Sequence, residues 1–385
     1  DRLTLERAEA PNFYADGTID TDLSQSGASA IAALNLNVQL GQFDLATLPE
    51  AIGGLPDPVT VGGLVSFDGQ VTGSGANPVV LGQTRFDNLA VNQIPFDSTL
   101  AGNVQVDLNR GVALDVSGQN DRIAVALDDT FLPTAVLLDV TDGETMAAVR
   151  LLDEGDRTLI GEIETFPLAW LDVAPAADQG LGVVRGQLTS TLQANIADLR
   201  NPIITANLRV TNPAIGYIDA RRFEGQLFYG NGQASLTSGE LAFANSLYRI
   251  AANYNPARST YFQSQIIAEP GEVSDLLFAL KILDFNDFAR GLTPPTYAES
   301  RAIAPIPIDV RELSILDRLR RLAEITTLRE RQTDMEEDAR FNLPSPSDAS
   351  GQFTGEITLA AARDAGFTAD FDLSGEDWAW GPYGI

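Results

Sequence analysis

The sequence predicts an all-β protein built of antiparallel strands. Three observations carry that prediction: strict apolar–polar alternation, turn residues between the alternating runs, and a repeat offset by 120 to 127 residues laid over both.

Alternation comes first, because side chains of a strand point to opposite faces with a period of two. Leu34, Leu36, Val38 and Leu40 interleave with Asn35, Asn37 and Gln39. Val104, Val106 and Leu108 flank Gln105 and Asp107, and Val112, Leu114 and Val116 flank Ala113 and Asp115. Ile123, Val125 and Leu127 continue the series, then Ala206, Leu208 and Val210 around Asn207 and Arg209. Near the end come Ile357 and Leu359, then Phe367, Ala369, Phe371 and Leu373. Asp16-Gly17, Asn109-Arg110-Gly111, Asp142-Gly143 and Asn231-Gly232 are the expected turns, as hairpins require. Each strand thus has one dry face and one wet face.

The repeat is read from five markers in the same order. Gly41-Gln42-Phe43-Asp44-Leu45 recurs as Gly161-Glu162-Ile163-Glu164-Thr165, Gly62 as Gly186, Asn77-Pro78 as Asn201-Pro202, Gly102 as Gly225, and Arg122-Ile123-Ala124 as Arg249-Ile250-Ala251. Residues 1–160 form one copy and 161–270 a second, while 346–385 begin a further one near Gly351. A period this long implies an extended stack of strands.

Residues 271–345 have no counterpart in the first copy and read as a helical insert. Glu272 to Arg290 places Val273, Leu276, Leu277 and Leu280 at helical spacing before Gly291. After Pro294, Pro295, Pro305 and Pro307, a second helix is expected from the Asp309/Glu312 capping pair, with Ile315, Leu319 and Leu322 on one face. The stretch from Arg329 to Arg340 is almost wholly charged, and the pair is expected to lie on the sheet.

Composition then excludes chemistries. The 385 residues include 53 acidic and 25 basic side chains, a net charge of −28, with no His and no Cys. Catalytic triads, cysteine nucleophiles, Cys/His zinc sites, haem or iron–sulfur ligation and disulfides are therefore out. Catalysis would fall to carboxylates, Tyr or Lys281, the only lysine. So acidic a chain, with scattered Arg, is not expected to bind nucleic acid. No run reaches the roughly 18 apolar residues of a membrane helix, and the chain opens at Asp1 without a signal-like segment. We read it as a piece of a longer chain whose membrane anchor lies outside it. The lack of Cys suits a periplasmic or envelope setting.

Among carboxylates, Asp20/Asp22, Asp128/Asp129 and Asp139/Asp142 come nearest to a glycosidase-like pair, yet they sit at strand ends and turns, where Asp is a solvated turn former. Calcium-loop spacing is absent, so no metal and no cofactor are expected. Gly53-Gly54 and Gly62-Gly63 lack the Lys-Ser/Thr of a phosphate loop and are expected at hairpins or bulges. Trp378 and Trp380 could stack on a sugar, but core strand residues are the plainer reading.

What remains is the dry face. Two dry faces can close on each other about 10 Å apart as a sandwich, or one curved sheet can leave an open apolar trough. A sixteen-carbon acyl chain would gain about 12 kcal/mol by full burial there, at ~0.8 kcal/mol per methylene. Alternation alone fits both.

A resemblance bears on the choice. Val183-Val184-Arg185-Gly186-Gln187-Leu188, Asn201-Pro202, Ala206-Asn207-Leu208, Phe223-Glu224-Gly225-Gln226-Leu227 and Asn231-Gly232-Gln233-Ala234 form a grammar that resembles the TamB family of diderm envelope proteins, which is related to AsmA-like proteins and a chloroplast inner-envelope translocon component. The grammar occurs twice over roughly residues 17–270, and Gly351 looks like another start. The insert and the missing His are not family marks and fit a variant lineage, a cyanobacterial one among them. The resemblance implies a β-taco, an elongated folded-over antiparallel sheet with a continuous hydrophobic groove. It also implies an inner-membrane tether, a periplasmic location, phospholipid transport to the outer membrane, and outer-membrane protein assembly with a partner of the Omp85 class. It carries over no catalytic residue. The groove positions it implies are Leu34, Leu36, Val38, Leu40, Val104, Val106, Leu108, Val112, Leu114, Val116, Ile123, Val125, Leu208, Val210, Ile357 and Leu359, which would contact phospholipid acyl chains. The rival expectations are a scaffold that offers a strand edge to outer-membrane β-proteins and, ranked last, a carbohydrate-active β-solenoid.

Overall fold

A computed structural model of the chain describes residues 2–7, 10–22, 24–47, 60–142, 145–172, 183–198, 201–216, 218–282, 285, 287, 344–363 and 366–384. The protein is all-β, an antiparallel sheet that does not close on itself. The chain divides into two compact units, residues 1–172 with 188–206, and residues 173–187 with 207–385.

The first unit carries β1 (Arg2–Arg7), β2 (Ala10–Thr21), β3 (Ile31–Asp44), β4 (Val61–Gly73), β5 (Pro78–Val91), β6 (Thr99–Asp107), β7 (Gly111–Ser117), β8 (Arg122–Leu127), β9 (Pro133–Asp142), β10 (Thr145–Asp153), β11 (Thr158–Pro167) and most of β12 (Val184–Asn195). From β1 to β11 each strand pairs antiparallel with the next, so the unit is a meander. Two of the expected turns join neighbours: Asn109 and Arg110 lead into Gly111 between β6 and β7, and Asp142 pairs with Thr145 across the β9–β10 hairpin.

Asp16-Gly17 is a correction. It lies inside β2, where Asp16 faces Asn37 and Gly17 faces Leu36. Gly17 has φ +144°, and a Cβ there would stand 2.0 Å from the Asn35 carbonyl oxygen. The glycine lets two backbones approach rather than reversing the chain.

The second unit carries most of β13 (Ile203–Ile215), then β14 (Ile218–Asp219), β15 (Arg222–Gly230), β16 (Gln233–Ala242), β17 (Leu247–Tyr254), β18 (Thr260–Glu272), the helix α1 (Val273–Ala279), β19 (Ala349–Ala362), β20 (Gly366–Trp380) and β21 (Tyr383–Gly384). β15 to β21 form another antiparallel meander, and Asn231-Gly232 is its first hairpin turn. The repeat markers fall on matching places. Gly62 and Gly186 lie in β4 and β12, Asn77 and Asn201 precede β5 and β13, and Gly102 and Gly225 lie in β6 and β15. The two-residue β14 accounts for the step from eight to nine strands between partners.

The helix foreseen from Glu272 to Arg290 is shorter than its apolar spacing implies. α1 ends at Ala279 in a Schellman motif: Ile282 N–H donates to the Leu277 carbonyl at 2.8 Å and Lys281 N–H to that of Phe278 at 3.1 Å. Lys281 holds the left-handed position, φ +54°, where glycine is usual. The Asp309/Glu312 helix and the Arg329–Arg340 stretch lie outside the described residues.

Candidate functional site

Directly paired residues of antiparallel strands share a face, so the pairings trace the dry face. In the first unit one row runs Ala15, Val38, Gly69, Gly82, Val104, Leu114, Val125, Val136, Leu151, Gly161 from β2 to β11. The next runs Phe13, Leu40, Phe67, Thr84, Gly102, Val116, Ile123, Leu138, Val149, Ile163. Leu36, Val106 and Val112 belong to a third, and Leu34 pairs with Ile19 and Gly73. Fourteen of the sixteen residues named from the sequence belong to the first unit or to β19, and Leu208 and Val210 share the dry side of β13 with Ile204 and Ala206.

Leu108 is the exception. β6 ends at Asp107, and Leu108 sits in the following turn, 38% exposed, because chain reversal ends the alternation one residue early.

In the second unit the rows are Leu241, Tyr248, Ala268, Gly355, Leu373, and Gly239, Ile250, Ile266, Ile357, Phe371, and Leu236, Ala252, Ser264, Leu359, Ala369. Ile357 and Leu359 are thus on the expected face. Val210 is buried there, packed over Gly186, whose hypothetical Cβ would meet Val210 Cγ1 at 2.7 Å.

The sheet of the first unit folds over its own dry face. Gln93 N–H, just after β5, donates to the Trp170 carbonyl at 3.2 Å, just after β11. Six flat strand intervals would separate them by about 29 Å at ~4.8 Å each. At this end Ile94 and Phe96, together with Leu138, Val149 and Ile163, pack against a buried cluster of Val140, Ala147, Phe166 and Trp170, the last two rings edge to face at 5.5 Å. Burial peaks here: Leu100 is 0%, Val116 1% and Val140 1% exposed. Asp121 holds the covering segment down, accepting from Asp97 N–H at 2.6 Å and Thr141 N–H at 2.8 Å. Asp97 in turn accepts from the N–H groups of Asn120 and Asp121, which hold its carboxyl below the usual range. A second cluster, Leu159, Ala194 and Ile196 with Leu132, Leu192 and Ile204, packs separately.

Between the clusters the face is only half covered. Of the sixteen predicted groove residues, Val38, Val116 and Val210 are buried, Leu108 is exposed, and the other twelve are partly exposed. A closed sandwich core would bury nearly all of them.

The wet face is a polar lattice. Arg122 bridges Asp115 in fork geometry at 2.9 and 3.0 Å, lowering the aspartate's pKa, and Arg150 meets Asp139 at 2.9 Å. Arg209 meets Glu224 at 2.8 Å and Arg249 meets Glu269 at 3.0 Å. An apolar dip interrupts it in the first unit, about 340 Å³ floored by Ala113, Ala124, Ala126 and Ala135 beside Leu137 and Leu152.

The carboxylate candidates have local duties. Asp22 caps Ser24, and Asp128 accepts from Thr130 Oγ1, Thr130 N–H, Leu132 N–H and Arg157, which bring its pKa down to about 2. Asp139 serves Arg150. Among the described residues no three acidic groups gather as a metal site, and no helix is long and apolar enough to cross a membrane. Gly63, φ +106°, sits at a β4 bulge, and Gly53-Gly54 lies outside the described residues. Lys281 is 3% exposed with Nζ 3.4 Å from Asp219. The tryptophans depart from a core placement: Trp378 is 40% exposed, its Nε1 donating to the Gln352 carbonyl, and Trp380 donates to that of Ser345.

Sequence reasoning missed the cover, namely residues 92–98 and Trp170, and the glycine floor. Phe67 lies over Gly69 and Gly82, whose hypothetical Cβ atoms would each stand 2.6 Å from its ring. Its signal was legible as Phe-x-Gly, an aromatic and a glycine two apart on one face.

Comparison with family models, with curated proteins and with solved structures finds no match to this chain.

Proposed function

We propose that this chain is a stretch of a hydrophobic conduit that carries phospholipid acyl chains between the membranes of a diderm envelope. The single observation that carries the reading is a dry face continuous across successive strands, yet left partly exposed at twelve of its sixteen named positions. Acyl chains would lie against Leu36, Val106, Leu114, Leu208 and their neighbours, while head groups follow the open margin. No catalytic residue, metal or cofactor enters this reading.

The test is photo-crosslinking in cells from Leu36, Val106 and Leu208, with Asn37, Asp107 and Arg209 as opposite-face controls, and mass spectrometry of the adducts. Lipid on the first set alone is the expected result; lipid on neither set returns the face to a plain structural core. A charge at Val106→Asp is expected to block passage, whereas Asp107→Asn is expected to be tolerated.

A further inference from the structure

The dry face of the second unit runs into a cavity. α1 lies across Phe353, and between helix and sheet is a space of about 460 Å³ walled by Val273 and Leu276 on one side, Phe353 and Leu373 beneath, and Trp378 opposite. That volume suits a small-molecule site, for which ~300–1,000 Å³ is usual. The wall is fixed rather than adaptable. The Trp378 indole is tied to the Gln352 carbonyl at 3.0 Å and fills the space over Gly375, where a Cβ would meet its Nε1 at 2.1 Å. α1 is pinned in turn, because Asp275 accepts from Asn245 N–H at 2.6 Å and Ser246 Oγ at 2.9 Å. Leading out of the cavity along the same face are Leu373 and Phe371, 40% and 65% exposed. The cavity therefore opens onto an exposed apolar stretch of the same face.

Among the described residues Asp377 is the only charged residue in the lining. Asp372 and Glu376 belong to the opposite, wet face of the same strand, and Lys281 is buried beside Asp219. An anionic headgroup at this mouth would meet the like charge of Asp377 with no counter-ion among the described residues, and such repulsion is how a site rejects a ligand whose apolar part fits equally well.

We infer that this cavity seats an acyl chain of a phospholipid whose headgroup bears a protonated amine directed to Asp377, and that it discriminates against anionic headgroups. The inference rests on the conduit reading of the dry face and adds the class of lipid to it.

The purified chain is incubated with phosphatidylcholine vesicles containing equal amounts of phosphatidylethanolamine and phosphatidylglycerol with the same acyl chains, then re-isolated, and its lipid is identified by mass spectrometry. The ethanolamine lipid should be enriched over the glycerol lipid by about twofold to fivefold, the scale of one solvent-screened charge contact. In 1 M salt, where the screening length is about 3 Å, the ratio should fall toward one. Asp377→Asn should do the same, since asparagine tolerates the left-handed φ of +52° at this position. Leu373→Asp, at an already exposed site, should reduce capture of both lipids. Equal carriage by the wild type, a ratio unmoved by Asp377→Asn, or full capture by Leu373→Asp overturns the inference while leaving the conduit intact. A folded chain that carries no lipid of any kind overturns the conduit reading itself.

Discussion

Strands β7 and β20 carry nearly the same message in sequence and meet opposite fates. Val112, Leu114 and Val116 alternate with polar or small residues, as do Ala369, Phe371 and Leu373, yet Val116 is 1% exposed and Phe371 65%. Pairing accounts for part of the difference, because β7 lies between β6 and β8 whereas β20 has β19 on one side and only the two-residue β21 on the other. The rest lies in what crosses the face. Ile94, Phe96 and Trp170 come from outside the strands and close the first unit's face over Val140 and Ala147, beside Leu138 of Val116's own row, whereas Phe371 has no such lid among the described residues. Alternation decides which way a side chain points; flanking strands and connecting segments decide whether water reaches it.

The sharpest way to break this comparison is to truncate one residue of each kind. Trp170→Ala removes a side chain only 8% exposed from the covering cluster and should cost about 3–5 kcal/mol in denaturant unfolding. Phe371→Ala removes one that water already reaches and should stay within about 0.5 kcal/mol. If the two costs were alike, the face at β20 would be covered in solution and the open-groove reading would lose its footing.

A smaller effect is expected at the clasp that holds the cover in place. Asp121 is 2% exposed and satisfies the N–H groups of Asp97 and Thr141. Asp121→Ala orphans both and should destabilise by about 1–3 kcal/mol, the usual cost of a buried group losing its partner. Its counterpart Asp275→Ala, which frees Asn245 N–H and Ser246 Oγ, should loosen α1 by a similar amount. Protection of the 92–98 amides in hydrogen exchange should fall in the first variant and hold in the second.

These side chains also mark how far the sequence was legible. The strands, their dry and wet faces and the Asn-Gly hairpin followed from period-two alternation, because a strand exposes each residue to one side or the other and nothing else. The cover did not follow. Ile94 and Phe96 lie in a loop without periodicity, and their target, Val140, is more than forty residues away, so only the folding-over of the sheet brings them together. Leu108 fell out for a local reason, the turn beginning one residue sooner than the alternation suggests. The helix after Glu272 overran because its apolar spacing continues through Leu280, while the left-handed Lys281, an unusual residue for that position, ends it. For the candidate groove, the residues were legible and their accessibility was not.

Acid should sharpen the picture of the turns that frame the first unit. Asp128 has its carboxyl held down to about 2, against an ordinary 3.8, chiefly by the Thr130 hydroxyl and the Leu132 N–H. Because the folded-state value is the lower one, its contribution is complete above about pH 4 and is lost as pH falls toward 2. Asp22, Asp87, Asp97 and Asp115 are lowered as well and act in the same direction. The thermal midpoint should therefore decline on acidification below about pH 4, and Asp128→Asn should make that decline shallower. Parallel declines in the variant and the wild type would show that this carboxylate is not held in solution.

The smallest expected effect tests the wet face. Arg122 and Asp115 face each other across β7 and β8 with two short hydrogen bonds, but their side chains are 50% and 53% exposed. Water and salt screen such a pair, and a double-mutant cycle with Arg122→Gln and Asp115→Asn should give a coupling of only about 0.2–1 kcal/mol. The coupling should shrink further in high salt, since the charges sit in solvent. The contrast with Trp170 then becomes quantitative: one face of the same strands carries side chains that can be exchanged almost freely, the other carries those on which the fold depends wherever a segment crosses it. A coupling well above 1 kcal/mol would mean that the wet face is desolvated at β7–β8. Its neighbouring dip at Ala113, Ala124 and Ala126 would then have to be counted as covered surface rather than as part of the solvent-facing side.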